Sequence, residues 1–126
     1  IKFIDSLKTV EDFDPNQVYL MGFSQGGIMS YSVALTEPEK IKGIAVMSGR
    51  LLPEIKPFVA SEARLKKLKL FVSHGKQDPV LKYGFAEEAV SYLKSKEIQP
   101  DFHAYEEVHT INNQMLADVT SWLLKN

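Results

Sequence analysis

The 126 residues contain no cysteine. A disulfide scaffold, a thiol nucleophile and a cysteine zinc site are therefore excluded together, while the compartment is left open. An excess of one charge is also missing: 15 Lys and Arg face 16 Asp and Glu, a net charge of −1. No global field draws such a chain to nucleic acid or to an acidic membrane surface. No apolar run approaches the roughly 18 residues needed to span a bilayer, so no integral membrane segment is expected. No phosphate-binding loop is present, and no histidine–carboxylate cluster has metal spacing, so neither a cofactor nor a metal is expected. The first residue is Ile1 and no signal-peptide pattern follows it. A cytoplasmic location is the expectation.

What is present is an ordinary globular composition, 44% hydrophobic and 25% charged, with no low-complexity tract, internal repeat or linker. One domain over 1–126 is expected. Ile1, Ile4 and Leu7 recur among Lys2, Asp5 and Lys8 as the end of an amphipathic helix, stopped by Asp14-Pro15-Asn16. The apolar run from Val18 to Phe23 reads as a strand buried on both faces, as in a parallel sheet. A helix from Gln25 to about Thr36 ends at Glu37-Pro38.

The alternation then repeats. Strands are expected near 43–48, 68–73 and 101–106, the last more polar and suited to an edge. An irregular stretch spans Arg50–Ser61. A helix over 83–96 places Phe85, Val90 and Leu93 inward, and a last helix from Ile111 to Leu124 carries Leu116, Val119 and Trp122, with Leu123-Leu124 as further core anchors. Lys66-Lys67 with Lys69 reads as a solvated face. Strand and helix in alternation imply right-handed parallel βαβ units: an α/β fold of about four strands with helices on both faces. An apolar strand at 18–23 invites a neighbour, because an apolar sheet edge aggregates. The opening helix, a further segment or another chain could supply that cover.

Gly22-Phe23-Ser24-Gln25-Gly26 matches Gly-x-Ser-x-Gly, which alone occurs by chance in about one chain in twenty-five of this length. Its position raises its weight. A buried strand meeting a helix is the setting of a nucleophile elbow, where the turn exposes the serine hydroxyl above the sheet. Gly22, Gly26 and Gly27 read as clearance for that turn. A serine needs a base and the base needs an acid, in the order Ser, Asp or Glu, His. Of His74, His103 and His109, only His109 follows the last strand and precedes the closing helix. His103 lies within a strand, and His74 reads as structural, packed under a loop. Asp78, beyond the third strand and before Pro79, is the acid; Asp101, Glu106 and Glu107 lie at the wrong end of the sheet or on a strand end. The backbone N–H of Gln25 supplies one oxyanion donor.

With these positions placed, the chain resembles the phospholipase/carboxylesterase family of α/β-hydrolases, which includes acyl-protein thioesterases and lysophospholipase-like carboxylesterases. The matching stretches are Gly22-Phe23-Ser24-Gln25-Gly26-Gly27, Ser48-Gly49-Arg50-Leu51-Leu52-Pro53, His74-Gly75-Lys76-Gln77-Asp78-Pro79-Val80, and the region of His109. The resemblance implies a serine hydrolase of carboxylic esters with Ser24, Asp78 and His109 as nucleophile, acid and base. It also implies an acyl pocket walled by the segment after Pro53, with Leu51, Leu52 and Val80 against a small acyl ester. Thioester hydrolysis, or a non-catalytic module that pairs through its first strand, are the alternatives. Two features depart from the family: Val108 stands where members usually have glycine, so the His109 loop is expected to run differently, and members are nearly twice as long. The sequence is thus expected to be a C-terminal part, without the upstream strands and the loop that donates the second oxyanion N–H.

Overall fold

A computed structural model of the protein describes residues 18–125. The expected opening helix lies outside the described residues. Four strands form one parallel sheet in the order β1-β2-β3-β4: β1 Tyr19–Phe23, β2 Gly43–Met47, β3 Lys69–Gly75 and β4 Asp101–Tyr105. The helices are α1 Gln25–Thr36, the single turn α2 Glu62–Leu65, α3 Tyr83–Ser95 and α4 Asn113–Lys125. Within the stretch expected to be irregular, Pro53–Phe58 winds into a 3₁₀ helix.

Sequential strand order with right-handed crossovers puts the connecting helices on one face. The alternation along the strands shows it. Ile44, Val46, Leu70 and Val72 point into a core with Tyr31, Ala34 and Leu35 of α1 and Ala89, Val90 and Leu93 of α3. The intervening Ala45, Met47 and Phe71 point the other way, against Val119 and Trp122 of α4. Helices therefore cover both faces, as in the α/β-hydrolase fold. On α1 the buried positions are Gly27, Ser30, Tyr31, Ala34 and Leu35, the spacing of one helical stripe.

Three expectations about burial need correction. Among the described residues β1 is not buried on both faces: it stands at the end of the four-strand order and Met21 is 47% exposed. Phe85 is only half-buried, and its ring lies under the Arg50 guanidinium at 4.2 Å, leaving Ala86 and Ala89 to complete the inner face of α3. On α4 the stripe runs Met115, Val119, Trp122, which turns Leu116 outward and leaves Leu124 84% exposed. Trp122 is the anchor, edge-on to Tyr19 at 5.6 Å and tilted against Phe71 at 5.8 Å.

Parallel pairing brings the carboxyl ends of the strands together: Phe23 pairs with Met47, Met47 with Ser73, and Gly75 with Tyr105. In open α/β sheets this rim is where ligands bind.

Candidate active site

Ser24 lies between the last residue of β1 and the first of α1, with φ 60° and ψ −115°. A non-glycine residue at positive φ is strained by about 1–3 kcal/mol and persists only where its surroundings enforce it. Two contacts do so here. The Ser24 N–H donates to the Met47 carbonyl at 3.0 Å, and the Ser24 carbonyl accepts the Ile28 N–H at 3.1 Å to start the helix. The turn is so tight that a Cβ on Gly22 would lie 2.2 Å from the Gly26 carbonyl carbon. Clearance at Gly27 is also needed, since a Cβ there would meet Val46 Cγ1 at 2.9 Å, but Gly26 faces open space among the described residues. The collision inferred for Gly26 is therefore not seen.

The hydroxyl so presented meets His109. Ser24 Oγ is 2.9 Å from His109 Nε2, and His109 Nδ1 is 2.6 Å from Asp78 Oδ2. The imidazole packs on Phe23 with ring centroids 4.7 Å apart. A carboxylate at Nδ1 accepts a hydrogen bond from the N–H of that nitrogen and so keeps the proton there, which leaves the Nε2 lone pair for the serine hydroxyl.

Asp78 is built for this task. Its side chain is 0% exposed, and a buried charge is tolerated only when hydrogen-bonded. Its Oδ1 accepts the N–H groups of Val80 at 2.8 Å and Leu81 at 2.9 Å, the side chain closing the turn that Pro79 begins. Burial pushes the carboxyl up, and the hydrogen bonds from His109, Leu81 and Val80 together outweigh it, so Asp78 titrates below its ordinary value.

The loop carrying His109 is clamped to the loop carrying Asp78. Lys76 N–H donates to the Tyr105 carbonyl at 2.8 Å and Gln77 N–H to the Glu107 carbonyl at 3.0 Å. The Gln77 amide and the Lys76 ammonium converge on Glu106 at 2.6 and 3.2 Å. A Cβ on Gly75 would lie 2.2 Å from the Glu107 carbonyl oxygen, so the two loops cross with no room for a side chain. Among the described residues positive φ falls, outside glycine, only at Ser24, Ser48 and Glu97. Val108 therefore lies outside the left-handed region, and the close crossing of the two loops falls at Gly75.

Gln25 opens α1, and the first N–H groups of a helix have no partner within it. Its N–H therefore lies beside Ser24 at the positive end of the helix. His103 is outside this constellation, stacked on Phe71 at 5.0 Å and 3.0 Å from Asp101 Oδ1. Glu107 accepts the Asn112 amide at 3.2 Å. The three residues expected to wall a pocket differ in setting. Leu51 is buried in the core of the α1–α3 face, Leu52 starts the 3₁₀ helix, and Val80 is 62% exposed. Three grooves on the described surface, one of them between Ile41, Arg64 and Lys67, are lined by other residues than Ser24, Asp78 and His109. Sequence reasoning missed Gly75 and the Lys76–Gln77 clamp; the glycine closing a strand just before the acid was the available signal.

A strand, a strained serine and a helix in succession, with histidine and aspartate on loops after later parallel strands, define an α/β-hydrolase. The profile described as Phospholipase/Carboxylesterase matches residues 2–126. Acyl-protein thioesterase 1 of Mycosarcoma maydis is 31% identical over 127 residues, covering 93% of this chain and 53% of that protein. Carboxylesterase SOBER1 of Arabidopsis thaliana is 30% identical over 119 residues, 90% of this chain and 50% of that one. Its crystal structure superposes with a TM-score of 0.85 at 28% identity over 98% of this chain and 59% of that chain. A Bacillus cereus carboxylesterase, at 20% identity, TM-score 0.87 and the same 98% against 57% of its own chain, shares the fold. The chain thus belongs to the phospholipase/carboxylesterase family, whose matched relatives are ester and thioester hydrolases. It spans about half the length of the curated relatives it matches.

Proposed function

We propose that the protein is a serine hydrolase of carboxylic esters working through an acyl-enzyme on Ser24. The observation that carries this is the line Ser24 Oγ–His109 Nε2, 2.9 Å, and His109 Nδ1–Asp78 Oδ2, 2.6 Å. His109 takes the hydroxyl proton as Ser24 attacks the acyl carbon, and Asp78 stabilises the imidazolium that forms. The oxyanion faces the Gln25 N–H, and a second donor comes from a segment outside the described residues. When the intermediate collapses, His109 returns the proton to the leaving alkoxide or thiolate. Water, activated by the same imidazole, then releases the acid. The substrate is a small or medium acyl ester. Thioesters are the second reading, favoured by the acyl-protein thioesterase relatives. In the working protein β1, an edge strand with Met21 47% exposed, pairs with a further strand.

The test is turnover of p-nitrophenyl acetate and of an acyl thioester by the protein in its natural full length. Both substrates should be cleaved by wild type, and Ser24→Ala should abolish cleavage. A folded wild-type protein that turns over neither would defeat the proposal.

A further inference from the structure

His74 lies on β3 four residues before Asp78, and its ring is 1% exposed. Its Nε2 is 2.6 Å from the Leu81 carbonyl oxygen. A carbonyl only accepts, so Nε2 carries the proton; Nδ1 has no hydrogen-bond partner among the described residues. The same Nε2 is 3.4 Å from Asp78 Oδ2, the oxygen that receives His109 Nδ1 at 2.6 Å. Two imidazoles thus reach one carboxylate oxygen. The Leu81 carbonyl draws the His74 proton to itself and leaves Oδ2 to His109.

Leu81 is tied to the acid a second time, because its N–H donates to Asp78 Oδ1 at 2.9 Å. Strand, His74, Leu81 and Asp78 therefore form a closed ring of contacts. The Tyr83 ring, 6.2 Å away and edge-on, backs the imidazole. The turn over 78–81 is anchored to the sheet at its start by the chain itself and at its end by His74.

We infer that His74 is a positioning residue for the Asp78–His109 pair: by holding the Leu81 carbonyl it fixes the turn whose N–H groups aim Asp78 Oδ2 at His109. His74 touches neither Ser24 nor the reacting carbon, and it moves no proton in the reaction. The inference rests on the reading of Ser24, His109 and Asp78 as a working triad, and goes beyond it by naming what keeps the acid in place.

Two variants of the protein in its natural full length test it. His74→Leu keeps the volume and removes the donor; His74→Gln keeps an N–H at the end of a side chain of similar reach. The readouts are kcat and KM on p-nitrophenyl acetate, the melting temperature, and the downfield proton resonance of the His109 Nδ1–H bond to Asp78. His74→Leu should lower kcat by about 10- to 100-fold, the range that outer hydrogen-bond partners of an active group command, with KM unchanged and the resonance broadened. His74→Gln should recover most of the lost kcat and sharpen the resonance. A purely structural role would lower the melting temperature in both variants and leave kcat alone. The inference is overturned if folded His74→Leu keeps wild-type kcat and a sharp resonance, or if folded His74→Gln is as impaired as His74→Leu. Should His74→Leu not fold, His74→Gln decides by the same readouts. A wild-type protein with no turnover would overturn the triad reading instead, and the resonance, which needs no substrate, would still report on His74.

Discussion

Replacing Asp78 by asparagine removes one charge and almost no volume, and the structure dictates which way the new amide must face. Oδ1 of Asp78 accepts two backbone N–H groups, from Val80 and Leu81, at 2.8 and 2.9 Å. An amide NH₂ in that place would confront two donors and forfeit both bonds, each costing about 1–3 kcal/mol when a buried group is left unsatisfied. The asparagine oxygen therefore stays there, and its NH₂ takes the place of Oδ2 against His109 Nδ1, where the present separation is 2.6 Å. An amide can only donate at that point. His109 must then carry its proton on Nε2, where it donates to Ser24 Oγ instead of accepting from it. The base is lost with the geometry intact. A change of tautomer of this kind lowers kcat by about 10⁴-fold in a serine triad, or about 5 kcal/mol of transition-state stabilisation. Steady-state turnover of p-nitrophenyl acetate by purified Asp78→Asn in its natural full length, checked for native circular dichroism, measures it. A kcat within tenfold of wild type would refute the assignment of Asp78 and the orientation argument together.

Three further outcomes follow from the same geometry. Gly75→Ala forces a Cβ against the Glu107 carbonyl oxygen; it should destabilise the fold by about 1–3 kcal/mol in chemical denaturation, and turnover should fall further than stability explains because the His109 loop is displaced. Asp78 titrates below its ordinary value of about 3.9, so its stabilising contribution is complete above that value and drains away as pH falls through the folded pKa. The stability gap between wild type and Asp78→Asn should accordingly narrow as pH falls below about 4, in urea titrations across pH. On α4, Trp122→Ala should cost about 3–5 kcal/mol and Leu124→Ala, at an 84% exposed position, should change the melting curve little.

The parts of this fold that were legible in the sequence are those set by local pattern and chain order. β2 is a nearly unbroken apolar run, β3 has Leu70-Phe71-Val72 at its centre, and β4 alternates as an edge strand does; their places follow from periodicity. The choice among three histidines needed only the order of elements, since His103 is inside a strand and His109 follows the last one. What escaped depends on contacts between distant segments. On α4 Val119 and Trp122 are buried as expected, but Met115 takes the place of Leu116, because the two are equally apolar and only tertiary packing chooses between them. Burial of β1 was inferred from its own apolarity, but burial belongs to the neighbour a strand has, and the described residues place β1 at an edge. The tie from His74 to Leu81 and the crossing at Gly75 were hidden for the same reason: each depends on how one turn lies over another.

The central claim is that Ser24 is the nucleophile and that His109 activates it. Incubation of the protein in its natural full length with a fluorophosphonate probe, followed by peptide mass spectrometry, tests it directly. A single phosphonyl adduct on Ser24, lost in Ser24→Ala and strongly slowed in His109→Ala, is the predicted result. A folded protein with no adduct, or with the adduct on another residue, would contradict it.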